Sequence, residues 1–379
     1  YNIFCSNPNE IEKDKLDFLN WTDLARICGY EDNKNINKFK KDMLNLEIFN
    51  YATIGQFLSK GNYYICVNPK VYFSGHDIES VEFLYKAFEM FEKAPSNIQI
   101  SYPLCKGVIA DIKNMETLIK FFLGDMNNGN IKPADYYIAV PTDVTEVEKR
   151  AFYDVIMDAK IKAKKIVVVE KPIADAVGVG IDVNSPNGHL LVNIGADTTE
   201  ITVISMGGIV ISKLIKIGGM KLDEAIAGCI RKKFNLIIGS RSAETVKKEL
   251  ADAMNEQADK TTVTYGRNIV TGLPNAQEIS GDLIHEAIEE LLHQIIENVK
   301  VILERTPPEL SADIISKGIY LTGGSANINN ICKLITKETG LKVNVAEEPS
   351  ETVINGIAKI LSSPELMKLT YVPREKEYE

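Results

Sequence analysis

The run "KKIVVVEKP" (Lys164–Pro172) carries four apolar residues in succession, Ile166–Val169. A strand with one wet face alternates polar and apolar residues, whereas one covered on both faces does not. The run therefore predicts a buried strand, of the kind found in parallel sheets. Its surroundings agree. "ADYYIAVP" upstream reads as another strand, and "TDVTEVEKRAFYDVIMDAKI" between them reads as a helix. That helix is expected to be capped by Thr142 or Asp143, with Val147, Ala151, Val155 and Ala159 on one face. "IADAVGVG" opens the next helix. Downstream come "KLDEAIAGCIRKKF", "SAETVKKELADAM" and "SGDLIHEAIEELLHQIIENVKVILERT", the last with Leu283, Ala287, Leu291, Ile295 and Val299 at i+4 steps. "LKVNVAEE" and "ETVINGIAKIL" add a strand and a helix. Alternating strands and helices predict an α/β sheet with helices on both faces.

Two strands in this series run into glycine turns. "LLVNIGADTTEITVIS" (Leu190–Ser205) reads as a hairpin, continued by a third strand in "GIVISKLIKIGG". "KGIYLTGG" enters its turn about 130 residues later. A turn of small residues and hydroxyls can hold a phosphate against backbone N–H groups. The first turn has one glycine, Gly195, where such cradles usually have more, and the Asp197 carboxylate stands inside it.

The chain changes style near residue 95. Before it, Asn, Lys and aromatics dominate. "KLDFLNWTDLARICGY" predicts one helix, and "NINKFKKDMLNLEIFNY" a second with Ile36, Phe39, Met43 and Leu46 on one face. "ATIGQFLSKGNYYICVNPKVYF" predicts a hairpin around Ser-Lys-Gly. Helix, helix, hairpin is the order of a winged helix, and "YICVNPKVYFSGHDI" resembles the winged helix–turn–helix modules of plasmid and phage replication proteins. That likeness implies a DNA-binding segment with Lys38, Lys40 and Lys41 off the apolar face of the second helix. The alternative is a small packing or protein-interaction domain.

The bulk numbers bound what the whole can be. A chain of 379 residues suits two or three domains. A net charge of -9 argues against a surface that coats nucleic acid generally. The six cysteines are scattered without a C-x-x-C pair, so they predict neither zinc nor redox chemistry, and several lie in apolar runs expected to bury them in a reducing cytoplasm. The histidines His76, His189, His285 and His293 show no metal-ligand spacing. No apolar run reaches a membrane span, and "YNIFCSNPNEIEKD" lacks the order of a signal peptide.

"VNIGADTTE" and "YLTGGSA", with "EKPIADAVGVG", "IGGMKLDEAI" and "PPELSADIISKGIYLTGGSANINN" between and around them, together resemble the MreB family of bacterial actins over roughly residues 97–365. The resemblance implies the actin-like ATPase fold, two related lobes with ATP and Mg²⁺ in the cleft. It also implies a cytoskeletal protein that self-associates into filaments at the inner face of the membrane and directs the cell-wall machinery and cell shape. The expected domains are a winged-helix-like α+β domain at 1–95, a partial first lobe at 96–187, a second lobe at 188–365 (with its smaller subdomain at 218–284) and a polar tail at 366–379. Nothing in residues 1–96 matches the family's D-x-G-T-type first phosphate loop, so the first lobe is expected to lack its leading strands.

Carried over residue by residue, the opening hairpin is the second phosphate loop. Gly195, Ala196, Asp197, Thr198 and Thr199 would face phosphates through backbone N–H groups and hydroxyls. Gly218 and Gly219 match a turn at the cleft. Gly323, Gly324, Ser325 and Ala326 match the turn that contacts adenosine. Glu244 and Lys247 match the pair that meets ribose and base; read from spacing alone they are an exposed i,i+3 ion pair. Four positions depart from the pattern, Ala196 among them, where the family has a glycine. Asn193 stands where the family has an Asp that organises the metal, and is a weaker ligand for a hard cation. Lys171 stands where the family has a Glu that orients the attacking water; a cation cannot accept that bond, but it can pair with a phosphate. Glu170 precedes it, and adjacent side chains of an extended segment point oppositely, so Glu170 is not expected to substitute. Asp197 replaces a glycine and sets a carboxylate beside phosphate oxygens, unless it binds Mg²⁺. The expected activity is weak ATP binding with slow or absent hydrolysis. The alternative function is a DNA-binding regulator or segregation factor with an actin-like body.

Overall fold

A computed structural model describes residues 102–126, 133–159 and 161–373, together with the backbone of four short strands nearer the start. The chain divides into two compact units, 1–102 and 103–379.

In the first unit, β1 (Glu47–Ile48) pairs with β2 (Tyr51–Ala52). β3 (Ile54–Ser59) pairs antiparallel with β4 (Asn62–Val67), with Ser59 opposite Asn62. The hairpin expected from "FLSKGNYY" is therefore present. The two helices expected before it, with Lys38, Lys40 and Lys41, lie outside the described residues.

The second unit opens with a small hairpin, β5 (Leu104–Cys105) and β6 (Val108–Ile109), turning at Lys106-Gly107, and the helix α1 (Ile112–Met126). β7 (Ala134–Val140), α2 (Glu146–Asp158), β8 (Ala163–Glu170) and α3 (Lys171–Val179) follow, and β7 and β8 pair parallel. The N-cap of α2 is Thr145 rather than Thr142 or Asp143. "TEVE" is a capping box, in which the Thr145 hydroxyl accepts from the Glu148 N–H and the Glu148 carboxylate accepts from the Thr145 N–H. Of the expected face, Val155 and Ala159 are buried, joined by Ile156, whereas Val147 turns outward, 70% exposed.

The main sheet has five strands in the order β11-β10-β9-β15-β16. β9 (His189–Ile194), β10 (Thr199–Ser205) and β11 (Gly208–Ile215) form an antiparallel meander. α4 (Gly219–Phe234), β12 (Leu236–Ile237), α5 (Ser240–Leu250), β13 (Thr261–Asn268) and β14 (Pro274–Ser280) form a side subdomain. The long α6 (Gly281–Arg305) and α7 (Pro308–Lys317) return the chain to β15 (Ile319–Thr322). α8 (Ile331–Thr339), β16 (Val343–Val345) and α9 (Thr352–Ser362) complete it. β15 runs parallel to both β9 and β16.

All of β9 is buried because both of its faces are covered. Leu190, Val192 and Ile194 join the core under α4 to α8, while Leu191 joins α3 and α9 on the opposite face. On α6 the buried stripe is Ile284, Ile288, Leu292, Ile295, Val299 and Ile302. Ala287 and Leu291 of the expected i+4 series are only half-buried, because a strict four-residue step drifts around a helix of 3.6 residues per turn.

The order strand, helix, parallel strand, helix occurs twice, as β7-α2-β8-α3 and as β15-α8-β16-α9. Their final helices pack directly together. Gly178 of α3 lies against the Thr352 carbonyl, and Gly356 of α9 against the Ala174 carbonyl, so closely that no Cβ fits at either position. In the second unit β15 pairs with β9 along its other edge, whereas β7 pairs only with β8 among the described residues. The outer edge of β8 bonds through Val168 to Tyr371, whose N–H and C=O both take part. The start of the expected polar tail is thus tied to the sheet.

Candidate nucleotide cleft

The hairpin turn between β9 and β10 is the centre of the site. It closes with Ile194 opposite Thr199 and an N–H to C=O bond from Gly195 to Thr198 of 2.9 Å. The carbonyls of Gly195 and Ala196 are tied back to the start of α4, accepting from the Gly219 N–H (3.0 Å) and the Met220 N–H (2.7 Å). In a trans peptide the C=O and the following N–H point oppositely. The N–H groups of Ala196 and Asp197 therefore face away from α4, as an anion cradle requires. Gly218 makes the arrangement possible: a Cβ there would sit 2.8 Å from backbone atoms of Ala196 and Asp197.

The second glycine turn comes to the first. The Ser325 hydroxyl donates to the Gly195 carbonyl at 3.2 Å. Gly323, at φ +84°, packs so closely on the Ile194 backbone that no side chain fits, and its conformation suits glycine. Gly324 is exposed, and Ser325 and Ala326 are buried. The two turns, far apart in sequence, thus form one cleft wall.

Several expected residues are engaged in ways spacing did not show. The Asp197 carboxylate accepts from the backbone N–H of Lys106 in the β5–β6 turn. The Thr199 hydroxyl is buried and donates to the Ile217 carbonyl (2.7 Å), so it does not reach the cleft. Glu244 and Lys247 do not pair with each other. Glu244 takes Lys248, one helical turn on, at 2.7 Å. The Lys247 ammonium reaches the Asp223 carboxylate at 2.8 Å and the Gly219 carbonyl at 2.9 Å, tying α5 to the start of α4. Burial pushes the Asp223 carboxyl above its ordinary range, against the pull of Lys247. Of the cysteines in the described residues, Cys105 is exposed, and Cys229 and Cys332 are only half-buried; burial pushes the thiols of the last two up.

Beneath the hairpin lies a polar cluster that single positions did not announce. Asn193 on β9 lies opposite Glu200 on β10 and Thr322 on β15. All three point to the α3 side of the sheet, where Lys171 and Asp175, four residues apart on α3, come down to meet them. The Lys171 ammonium donates to Asn193 Oδ1 at 3.2 Å and lies 3.4 Å from Glu200 Oε2. Asn193 Nδ2 donates to Asp175 Oδ2 at 2.9 Å and to Thr322 Oγ1 at 3.0 Å. The Thr322 hydroxyl donates to the same Asp175 oxygen at 2.6 Å. Glu200 Oε1 accepts from the N–H (2.7 Å) and hydroxyl (2.5 Å) of Thr142. Asp175, Asn193 and Glu200 are all buried, while the Lys171 side chain keeps 23% of its exposure. Glu170 points elsewhere, accepting from Lys149 at 3.1 Å and from the Tyr371 hydroxyl at 2.7 Å. The Tyr371 phenol is raised above its ordinary range by burial and by that carboxylate.

A family model described as MreB/Mbl protein matches residues 60–369. The chain belongs to the MreB/Mbl family. The match reaches into residues 60–95, which sequence reading placed in a winged-helix-like domain. The cell shape-determining protein Mbl of Bacillus subtilis (strain 168) is 37% identical over 279 residues, 73% of this chain and 83% of that protein. The cell shape-determining protein MreB of Escherichia coli (strain K12) is 36% identical, over 73% of this chain and 80% of that protein. Among solved structures, MreB5 of Spiroplasma citri bound to ADP superposes with a TM-score of 0.70 at 34% identity, covering 75% of this chain and 85% of that one. The AMPPNP-bound form of the same protein gives 0.69, at 34% identity over 75% of this chain and 84% of that one. The actin-like architecture is thereby established for this MreB/Mbl-family chain.

Most of the polar groups beneath the hairpin are already engaged, rather than set out for the Mg²⁺ expected from the resemblance. Mg²⁺ requires oxygen ligands at about 2.0–2.1 Å, usually including one or two carboxylates. The Asn193 oxygen is taken by an ammonium, Glu200 by Lys171 and Thr142, and Asp175 Oδ2 by Asn193 and Thr322, while Asp175 Oδ1 is buried with no hydrogen-bond partner. No group of three or more His, Cys, Asp or Glu side chains suited to a metal occurs among the described residues.

Proposed function

We propose that this MreB/Mbl-family chain is a subunit of a cytoskeletal filament that organises wall synthesis and cell shape, and that its cleft holds an adenine nucleotide with slow or absent hydrolysis. One observation carries the nucleotide reading. The β9–β10 hairpin is tied by its carbonyls to α4, which turns the Ala196 and Asp197 N–H groups away from that helix, and the Lys171 ammonium is held at Asn193, two residues before Gly195. Relatives named for cell shape, and neighbours solved with ADP and AMPPNP, support the same reading. Lys171 accounts for the slow turnover, because an ammonium cannot accept a proton or a hydrogen bond from an attacking water.

Self-association at the inner face of the membrane, together with the wall-synthesis machinery, belongs to this proposal. The relatives' names concern cell shape, so the DNA-binding alternative is set aside. Sedimentation of the full chain with and without ATP, read beside phosphate release, tests the reading. Pelleting with little phosphate release is expected. A protein that stays monomeric in every condition refutes the filament role, and a K171E variant that releases phosphate no faster than wild type refutes the account of Lys171.

A further inference from the structure

We propose that Lys171, oriented by Asn193 and Asp175, supplies the positive charge at the polyphosphate of a bound nucleotide, so that nucleotide binding by this chain needs no divalent cation. The inference rests on the nucleotide reading above and adds the means by which the phosphates are neutralised.

The orientation follows from donor and acceptor counts. An ionised carboxylate only accepts, and a hydroxyl has one hydrogen to give. Thr322 spends its hydrogen on Asp175 Oδ2, so toward Asn193 it can only accept. Both neighbours on that side of Asn193 therefore demand donors, and the amide must present its NH₂ group to them. Its oxygen then faces the other way, toward Lys171. The turned amide holds the ammonium at the foot of the hairpin: Asn193 Oδ1 lies 3.8 Å from where a Cβ of Gly195 would be. An ammonium has three donors. Asn193 and Glu200 occupy two directions, which leaves the third for an anion. The partly exposed side chain lets solvent or ligand reach it. Glu200 offsets part of this charge from the buried side, 3.4 Å away, while Thr142 supplies two donors to its other oxygen; the partly exposed side of the ammonium is the one left for an anion.

The three residues are matched to one another. An ionised Asp at position 193 would place two carboxylates at hydrogen-bond distance, because Asn193 Nδ2 is 2.9 Å from Asp175. Like charges that close do not both stay ionised. Asp175 thus requires a donor at 193, and a neutral donor at 193 leaves the site without the carboxylate a metal would use. Lys171 brings the missing positive charge as part of the chain.

Calorimetric titration of the full chain with ATP, in excess magnesium chloride and separately in excess EDTA, tests the inference. Binding that survives in EDTA is expected. In EDTA, K171Q should weaken binding roughly tenfold, as loss of a charge-assisted hydrogen bond does, and K171R should retain most of it. Thermal unfolding of each variant shows whether it folds, and the wild-type comparison needs no variant. ATP binding that requires Mg²⁺, or K171Q binding as well as wild type in EDTA, overturns the inference and leaves the nucleotide reading intact. Absence of ATP binding by wild type in both conditions overturns both.

Discussion

Replacing Gly356 by Ala should destabilise this protein even though alanine is the better helix former. A Cβ at 356 would land on the Ala174 carbonyl and within 3.0 Å of the Gly178 amide nitrogen. Carbon-to-oxygen contacts across helices ordinarily run at about 3.3–3.6 Å, so α3 and α9 must part by roughly 1–2 Å. Parting loosens the packing of Ile173, Ala174, Val177, Ile357 and Ile360, all buried at this crossing. Overpacking of this kind costs about 1–3 kcal/mol, and the obstruction here is backbone, which cannot change rotamer, so the upper end applies. Higher helix propensity returns about 1 kcal/mol. The net loss is about 2 kcal/mol. G178A meets the Thr352 carbonyl and should cost a similar amount. The double variant discriminates further. Once one Cβ has forced the helices apart, the second finds room, so the pair should cost about 1 kcal/mol less than the sum of the singles. Urea unfolding of the four proteins gives the cycle. A G356A protein as stable as wild type, or strictly additive costs, refutes this account of the crossing.

T142V removes a hydroxyl donor from a buried carboxylate and should cost about 1.5–3 kcal/mol, against about 1 kcal/mol for the helix cap lost in T145A; urea unfolding ranks the two, and the reverse order contradicts the geometry. Burial chiefly, and the Lys317 charge next, push the His189 imidazole below its ordinary value, while Asp313 and Asp182 pull it up. A group with a lowered folded pKa contributes stability that is complete above its unfolded value, about 6.5, and is lost as pH falls. H189Q should therefore flatten the fall in stability below about pH 6.5, measured by urea unfolding across that range.

The apolar runs made the sheet legible, because a strand covered on both faces leaves no polar beat. Blocks such as Ile166–Val169 and Leu190–Val192 announce their own burial. The pairing of β3 with β4 was equally plain, since a hairpin's signal is local. The polar cluster was not. Asn193, Glu200 and Thr322 meet because three strands pair in one register, and register across 129 residues is decided by topology rather than by any one segment. Asp175 left a fainter mark, an acid inside the apolar "PIADAVG", four residues from Lys171. The cap at Thr145 was misplaced although its S/T-x-x-E signal was present, since Thr142 and Asp143 offered rival hydroxyl and carboxylate groups. Glu244 had acceptable partners at i+3 and i+4, and only the reach of Lys247 to Asp223 chose between them.

The second unit is laced like a boot. Near its beginning, the β5–β6 turn gives the Lys106 N–H to Asp197, on the hairpin of the five-stranded sheet. Near its end, after α9, the chain crosses back so that Tyr371 joins the edge of β8 and caps Glu170. Each end of the lace is fastened to the opposite half. Cutting the polypeptide between halves would therefore yield two pieces that each carry away the other's fastening, with the edge of β8 bared in one of them. The smallest portion of this unit able to stand alone is then the whole run from the first lace-hole to the last.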